Sequence, residues 1–204
     1  MKKSLILAVK LFVICAIAAA CLAFVNSKTA PVIQARLEEK TKEAYGKVFP
    51  EAEDFETLDD AKLLNDNIIG IVEAKVSGNT EGYVFNVSTP SGYDGPINFV
   101  IGVKNDGTVV GFEVLAQTET TGYGASVAEE DYQNRMQGAI LNGPVEMVEG
   151  NGAEGQVPGI SGATRTSDAM HAGFNAVVDK LQELLGGQTS QAVSFERIGG
   201  INEY

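Results

Sequence analysis

The stretch "PINFVIGVKNDGTVVGFEVLAQT", residues Pro96–Thr118, decides the fold of this chain. Two runs rich in Val, Ile and Phe flank a short turn sequence at Asn105–Gly107. Asn-Asp-Gly favours a tight turn, and the flanking residue types favour extended strands. The stretch therefore predicts two antiparallel strands joined as a hairpin.

More strand-like sequence lies on both sides of this hairpin. Upstream, "IIGIVEAKVS" begins at Ile68 and "EGYVFNVST" follows after the turn sequence "GNT". Downstream, "PVEMVEG" (Pro144–Gly150) predicts a further short strand. The acidic segment "EAEDFETLDDAKLLNDN" between residues 51 and 67 predicts a loop with a helical turn.

Helices are predicted in three places outside these strands. One covers residues 27–50, where Pro31 suits a first helical turn, and a second lies around 125–141. The third begins at Thr166 or Ser167, where a hydroxyl can act as N-cap, and repeats apolar residues at helical spacing. The glycine pair at 186–187 predicts its end. The fold class is therefore expected to be α+β, with a mainly antiparallel sheet and flanking helices.

The N-terminal segment "MKKSLILAVKLFVICAIAAACLAFVNSK" predicts a transmembrane helix. It is apolar from Leu5 to Val25 except for Lys10, and about 20 residues span the hydrocarbon core of a bilayer. The lysines at its start favour a cytoplasmic N-terminus, which places the main domain outside the cytoplasm. A lipoprotein signal sequence cleaved at Cys21 is the alternative. Lys10 and the apolar residues after Cys21 favour a retained anchor in the cell membrane.

Composition excludes several function classes. The formal net charge is −12 over 204 residues, and no basic patch follows residue 50, so nucleic acid is not an expected partner. The only two cysteines, Cys15 and Cys21, lie in the apolar segment, so no disulfide is expected in the outer domain. No metal ligands are predicted. The expected domains are an anchor at 1–26, a helical connector at 27–66, the main domain at 67–190 and a tail at 191–204.

The stretch Gly150–Phe174 has the features of a phosphate site. Glycines lead into the predicted helix, whose unpaired N–H groups and partial positive charge attract phosphate. Thr164 offers a hydroxyl just ahead of that helix, which can bond a phosphate or be esterified to it. The sequence lacks the GK[ST] of a Walker A loop and the G-x-G-x-x-G of a dinucleotide fold. His171, the only histidine, is interpreted as a solvent-facing helical residue rather than a catalytic base, so a hydrolase is a weak hypothesis.

Two further glycine-rich stretches lie at the ends of predicted strands. "SGYDGPINFVIGV" (Ser91–Val103) enters the first hairpin strand, and "ETTGYGASV" (Glu119–Val127) follows the second. Such loops place backbone and hydroxyl groups where flat ligands bind.

Four features follow one N-terminal helix in a fixed order: "GYDGPI", the hairpin, "ETTGYGASV" and "SGATRTS". Together they resemble the G subunit of the Rnf electron transport complex. They are also similar to the C subunit of the sodium-pumping NADH:quinone oxidoreductase. The chain departs from the family pattern at two positions. Pro158 stands where an Asp is usual, and Thr121 stands where a proline is usual.

The resemblance implies that Thr164 carries FMN through a phosphoester, attached by a separate FAD-dependent flavin transferase. It also implies an electron-transfer flavoprotein subunit of an ion-translocating oxidoreductase, with the other membrane subunits as partners and no catalytic residue of its own. The alternative function is an anchored module that binds a phosphorylated ligand reversibly, without a redox role. The other expected cofactor-binding residues are Ser161, Gly162, Ala163, Thr166, Ser167, Glu119, Thr120, Thr121, Gly122, Tyr123, Gly92, Tyr93 and Gly95.

Overall fold

A computed structural model of the chain describes residues 2–58, 64–148, 150 and 154–199. The chain divides into two compact units, one ending at Lys40 and the other beginning at Thr41. The second unit contains every strand and the two helices after α1.

The first helix, α1 (Lys2–Val48), is uninterrupted. Within the described residues, this is the one helix long and apolar enough to cross a membrane, with a mean hydropathy of 2.3 in its most apolar window, none of which is buried. Pro31 lies inside α1 rather than in a first turn, because the helix starts far upstream of residue 27. Proline removes one backbone donor, and hydroxyl groups of Ser27 and Thr29 bond to carbonyl oxygens of the preceding turn.

Five antiparallel strands form the main sheet, and the predicted hairpin is confirmed. The strands are β1 (Asp54–Thr57), β2 (Ile68–Val76), β3 (Asn79–Thr89), β4 (Ile97–Lys104) and β5 (Val109–Ala116), in the order β1-β2-β3-β4-β5. Gly107 has a φ of +89°, the conformation that the turn between β4 and β5 requires. Phe99 pairs with Val114 and Ile101 with Phe112 across that hairpin.

Beyond the sheet, the chain forms short elements and one long helix. They are a 3-10 helix (Gly124–Ala128), α2 (Glu130–Met136), β6 (Glu146–Val148), β7 (Gln156–Pro158) and α3 (Thr164–Gly199). The strands β6 and β7 pair in parallel as a separate two-stranded sheet. The α+β fold class predicted from the sequence is confirmed.

Several local predictions need correction. The strand β1 replaces part of the predicted loop and lies within the expected helical connector, because it pairs with β2 from Asp54↔Lys75 to Thr57↔Val72. The predicted 125–141 helix is a 3-10 turn followed by the short α2, separated by extended backbone at Glu129. The helix α3 continues past Gly186 into the predicted tail.

A row of glycines allows the end of α1 to pack tightly against the main sheet. Gly82, Gly102 and Gly111, on three adjacent strands, form this glycine stripe. A β-carbon at Gly111 would lie 2.6 Å from the Cα atom of Val48, and one at Gly82 would lie 2.8 Å from the ring of Phe49. The glycine stripe therefore lets helix backbone lie directly on strand backbone.

An aromatic cluster connects α3 to the sheet. The ring of Phe174 lies 5.5 Å from that of Phe99 and 5.9 Å from that of Phe112, and Phe112 also contacts Tyr132 of α2. All four side chains are buried, and full burial of such a side chain contributes about 1.5–3 kcal/mol. This packing holds the N-terminal end of α3 near the loops that follow β3 and β5.

Candidate functional site

A cavity of about 410 Å³ lies where three segments meet: the turn after β3, the loop after β5 and the first turn of α3. Its lining residues are Tyr93, Glu119, Thr120, Tyr123, Gly124, Gly162, Ala163, Thr164, Arg165 and Thr166. Three separate glycine-rich stretches of the sequence therefore contribute to one cavity. We call it the Thr164 cavity.

The helix α3 begins earlier than predicted, which places Thr164 in its first turn. The N–H of Ser167 bonds to the carbonyl of Ala163 at 2.9 Å, an i to i−4 bond that includes Thr164 in the helix. The hydroxyl of Ser167 accepts the N–H of Ile160 at 3.1 Å, so it bonds to the preceding chain instead of capping a later helix start. Thr164 is exposed, and its hydroxyl lies at an N-terminus that favours anions.

A glycine turn leads into this helix start. Gly162 has a φ of +77°, a backbone conformation that glycine adopts without strain. A β-carbon at Gly162 would lie 3.6 Å from the ring of Tyr123, in ordinary contact, so the conformation rather than space favours glycine here. The turn brings the loop after β5 close to Thr164.

A buried carboxyl group connects the three segments. Glu119 is 6% exposed; its Oε1 accepts the N–H of Asp94 at 3.1 Å, and its Oε2 accepts the hydroxyl of Thr166 at 2.5 Å. Thr118, next to Glu119, donates its hydroxyl to the carbonyl of Asp94 at 2.7 Å. These bonds tie the turn after β3 to the loop after β5 and to α3.

Two tyrosine rings are left open to solvent at the Thr164 cavity. Tyr93 is 63% exposed and Tyr123 is 58% exposed, although large aromatic side chains are usually well buried. Both rings line the cavity, one from each loop. Exposed aromatic rings at a cavity provide flat faces for a planar ligand.

A second, larger groove of about 670 Å³ shares two residues with the Thr164 cavity, namely Tyr123 and Thr164. Its lining residues are Gly122, Tyr123, Ser126, Arg135, Met147, Val148, Gly150, Gly159, Ile160, Ser161, Thr164, Ser167 and Asp168. Thr164 therefore lies at the border of both depressions.

The structure separates the predicted site residues into groups. Those that line the Thr164 cavity are Tyr93, Glu119, Thr120, Tyr123, Gly162, Ala163, Thr164 and Thr166. Those that line the second groove instead are Ser161, Gly122 and Ser167. Gly92 and Gly95 belong to the turn that carries Tyr93, and Thr121 lines neither depression.

Two residues of the Thr164 cavity were not predicted, Gly124 and Arg165. Gly124 stands in the "ETTGYGASV" motif. A β-carbon there would lie 2.3 Å from the hydroxyl oxygen of Thr166 and 2.5 Å from Oε2 of Glu119, so this hydrogen-bonded pair requires a glycine. Arg165 follows Thr164 directly, and a guanidinium beside a proposed phosphate site is a signal that the sequence contained.

His171 does not point freely into solvent, and this prediction was wrong. The side chain is partly buried, with Nε2 2.7 Å from the carbonyl oxygen of Val145. Asn175, one turn later, accepts the N–H of Val145 at 3.1 Å. The two side chains hold the segment that enters β6, which is a structural role.

Comparison with known proteins identifies the class of this domain. Residues 92–179 match the family described as FMN-binding domain, and this range contains the Thr164 cavity. The crystal structure of Shewanella oneidensis NqrC has the same fold, with a TM-score of 0.50 at 18% identity over 69% of this chain and 74% of that chain.

Two relatives define the family more narrowly. The G subunit of the Na(+)-translocating ferredoxin:NAD(+) oxidoreductase complex of Acetobacterium woodii is 30% identical over 85% of this chain and 89% of its own length. The G subunit of the ion-translocating oxidoreductase complex of Methanosarcina acetivorans is 33% identical over 84% of this chain and 90% of its own length. The chain belongs to the family of G subunits of Rnf-type ion-translocating oxidoreductase complexes, and it is an FMN-binding member of such a complex.

The residues present fit FMN. A volume of about 410 Å³ is within the usual range of cofactor sites, roughly 300–1,000 Å³. Two exposed tyrosine rings suit a planar ring system, while an exposed threonine hydroxyl and a helix N-terminus suit a phosphate.

Proposed function

We propose that this chain is a membrane-anchored electron-transfer subunit that carries FMN on Thr164 through a phosphoester. The observation that supports the proposal most directly is the position of Thr164. Its side chain is exposed in the first turn of α3, at the border of the cavity that lies inside the FMN-binding domain. Thr166, the next threonine, is 1% exposed and already bonded to Glu119, so it is a poor acceptor.

Attachment requires a second enzyme and FAD as the donor. The hydroxyl oxygen of Thr164 displaces AMP from the FMN phosphorus of FAD. One O–P bond forms, the P–O bond of the pyrophosphate breaks, and the hydroxyl proton is lost to a base of the flavin transferase. No electrons are transferred in this step. The product is a phosphodiester that leaves the ring system of FMN chemically unchanged.

The residues of this chain bind and orient the attached group. The N-terminus of α3 and Arg165 would stabilise the negative charge of the phosphodiester. Tyr93 and Tyr123 offer their ring faces to the planar part of the cofactor. When bound, FMN supplies one- and two-electron redox chemistry, which no side chain of this site provides.

The helix α1 anchors the protein in the cell membrane. Its most apolar part exposes its side chains, as a lipid-facing helix does, and the described residues contain no second candidate. Lysines at the start of the chain favour a cytoplasmic N-terminus, which places the domain after α1 outside the cytoplasm. A tethered cofactor is not lost by diffusion in that compartment.

In the complex, this subunit passes electrons and other membrane subunits move the ion. Among the described residues one apolar helix is long enough to cross the bilayer, and one helix offers no pathway for an ion, so we assign translocation to partner subunits. The relative from Acetobacterium woodii is named for Na(+) translocation coupled to ferredoxin and NAD(+). We infer electron transfer of the same general kind for this chain.

Co-expression with a flavin transferase tests the proposal. The intact mass of the purified full-length chain should increase by one FMN less one water, and the protein should be yellow. The Thr164→Ala variant should lack the added mass. A colourless protein that binds FMN reversibly would instead favour the non-covalent ligand-binding module.

A further inference from the structure

We propose that Glu119 is the positioning residue of the FMN site: its carboxyl group holds the three segments of the Thr164 cavity in the arrangement that docks the flavin ring. The proposal rests on the proposed function, because it assigns a role toward FMN that is attached at Thr164. Glu119 acts through other residues and through the shape of the cavity.

The two oxygen atoms of Glu119 contact both neighbouring segments. Asp94, which donates its N–H to Oε1, is adjacent to Tyr93 in the turn after β3. Thr166, which donates its hydroxyl to Oε2, lies two residues after Thr164 in α3. Glu119 itself begins the loop that contains Tyr123. The carboxyl group therefore joins three segments, and each supplies one residue of the proposed FMN site: Tyr93, Tyr123 or Thr164.

The space around the carboxyl group is closed on two sides by glycines. A β-carbon at Gly92 would lie 2.8 Å from Oε1, and one at Gly124 would lie 2.5 Å from Oε2. Both glycines stand in the glycine-rich motifs of the sequence, and neither needs a positive φ. Close packing explains why glycine occupies both positions, because a β-carbon would also lie 2.2 Å from the carbonyl oxygen of Gly95 at Gly92 and 2.3 Å from the hydroxyl oxygen of Thr166 at Gly124.

This arrangement matters because a phosphodiester link does not orient a ring by itself. The chain between the phosphate and the flavin ring has several rotatable bonds, so the docked position depends on the surfaces that the ring meets. Those surfaces are the exposed rings of Tyr93 and Tyr123, which lie on separate loops. Loss of the acceptor at Glu119 leaves the N–H of Asp94 and the hydroxyl of Thr166 without their partner, and the loops separate.

The role is distinct from general stabilisation of the fold. The hydrophobic core consists of other residues, most of them from the main sheet and α3. A similar threonine–glutamate hydrogen bond exists between Thr80 and Glu73, at 3.0 Å, and neither residue lines the cavity. That pair provides a matched control, since Thr80→Val removes the same kind of bond away from the site.

The test uses the full-length chain, co-expressed with a flavin transferase and purified in detergent. The variants are Glu119→Ala, Glu119→Gln, Thr166→Val, Thr166→Ser and Thr80→Val. Intact mass gives the attached FMN, and far-UV circular dichroism reports folding. Fluorescence and visible circular dichroism per attached flavin then report whether the ring is docked, because stacking on tyrosine quenches flavin emission.

Glu119→Ala and Thr166→Val should raise the ratio of undocked to docked flavin roughly two- to tenfold, the loss expected when an aromatic contact is broken. Glu119→Gln should remain close to the wild type, because an amide can accept from Asp94 and donate to Thr166. Thr166→Ser and Thr80→Val should also match the wild type. A folded Glu119→Ala or Thr166→Val variant that takes up no FMN, while the wild type does, would also support the proposal. In that case the first turn of α3 would no longer present Thr164 for attachment.

Wild-type flavin signals in both Glu119→Ala and Thr166→Val would overturn the proposal. If Glu119→Ala does not fold, the comparison of Thr166→Val with Thr166→Ser tests the proposal instead. Thr166→Val replaces the hydroxyl group with a methyl group, whereas Thr166→Ser keeps the hydroxyl group. An equal change in Thr80→Val would also overturn it, because the effect would then be one of general stability. Absence of FMN from the wild type contradicts the proposed function itself and is thus a distinguishable result.

Discussion

The carbonyl carbon of Val48, at the end of α1, lies so close to Gly102 in β4 that a β-carbon on Gly102 would be 3.0 Å from it. The helix end and the sheet thus contact each other through backbone atoms. The same holds at Gly111, which faces the backbone of Val48, whereas Gly82 makes room for the ring of Phe49, the residue after α1. Three strands and the last turn of α1 therefore form one tightly packed unit that begins at Thr41.

Gly102→Ala should destabilise this unit by about 1–3 kcal/mol, the usual cost of forcing an extra carbon into a packed site. Gly46→Ala is the matched control within α1. Apart from the backbone of its own helix, nothing lies within 4 Å of a β-carbon at Gly46, so that variant should be unchanged or stabilised by about 0.5–1 kcal/mol. Urea unfolding of the full-length chain in detergent measures both. Equal stabilities of the two variants would contradict the packing described.

Tyr132→Phe should lower the stability at neutral pH by about 1 kcal/mol, the net contribution of one hydrogen bond. The hydroxyl of Tyr132 is buried and donates to the carbonyl of Pro158 at 3.0 Å. The variant retains the ring, and with it the contact to Phe112. Denaturant unfolding at neutral pH measures the difference.

Burial also raises the pKa of Tyr132 far above its ordinary value. The folded protein therefore keeps this proton where the unfolded chain, with a tyrosine pKa of about 10, loses it. The stabilisation is complete below about pH 10 and declines as the pH rises toward the folded pKa, by about 1.4 kcal/mol per pH unit. The wild type should lose stability above about pH 10 more steeply than Tyr132→Phe. Parallel pH profiles would refute this assignment.

The sequence predicts the hairpin correctly because its signal is local. Asn105–Gly107 encodes the turn and the residues on either side encode the strands, so no distant contact is needed. The start of α3 is less predictable. The first turn of α3 is accompanied by two side-chain contacts that helix patterns do not reveal: Ser167 bonds to Ile160, seven residues earlier, and Thr166 bonds to the distant Glu119. Hydroxyl residues at Thr166 and Ser167 look like N-caps in sequence, but their side chains have other partners.

The second groove could not be predicted from single stretches. It includes Met147, Val148 and Gly159, at or beside the parallel β6–β7 pair, together with Arg135 of α2. No sequence pattern indicates that these segments meet beside Thr164. Gly92, Gly124 and Glu119 are all visible as parts of motifs, but the packing of the two glycines around the carboxyl group is not.

Tyr123→Ala should increase the fluorescence of the attached flavin, because one of the two exposed ring faces at the cavity is removed. The expected change in the undocked fraction is about two- to tenfold, as for loss of one aromatic pair. Tyr123→Phe keeps the ring face and serves as the matched control. Steady-state fluorescence per mole of attached FMN is the measurement. Identical fluorescence of the wild type and Tyr123→Ala would show that this ring does not contact the flavin.

Topology can be tested with single cysteines in a Cys15→Ala/Cys21→Ala background. Glu81→Cys places a thiol at an exposed position of β3, and Lys3→Cys places one near the N-terminus. A membrane-impermeant maleimide added to intact spheroplasts should label position 81 without lysis and position 3 only after lysis. The reverse pattern would place the FMN-binding domain in the cytoplasm.

The site of flavin attachment tests the central claim most directly. Trypsin cleaves after Arg135, Arg165 and Lys180, so Ser161 and Thr164 fall in peptide 136–165, whereas Thr166 and Ser167 fall in peptide 166–180. After co-expression with a flavin transferase, mass spectrometry should find FMN on peptide 136–165. It should remain there in Ser161→Ala and be absent in Thr164→Ala. Flavin on peptide 166–180, or an adduct that survives Thr164→Ala, would contradict the assignment of Thr164 as the FMN-carrying residue.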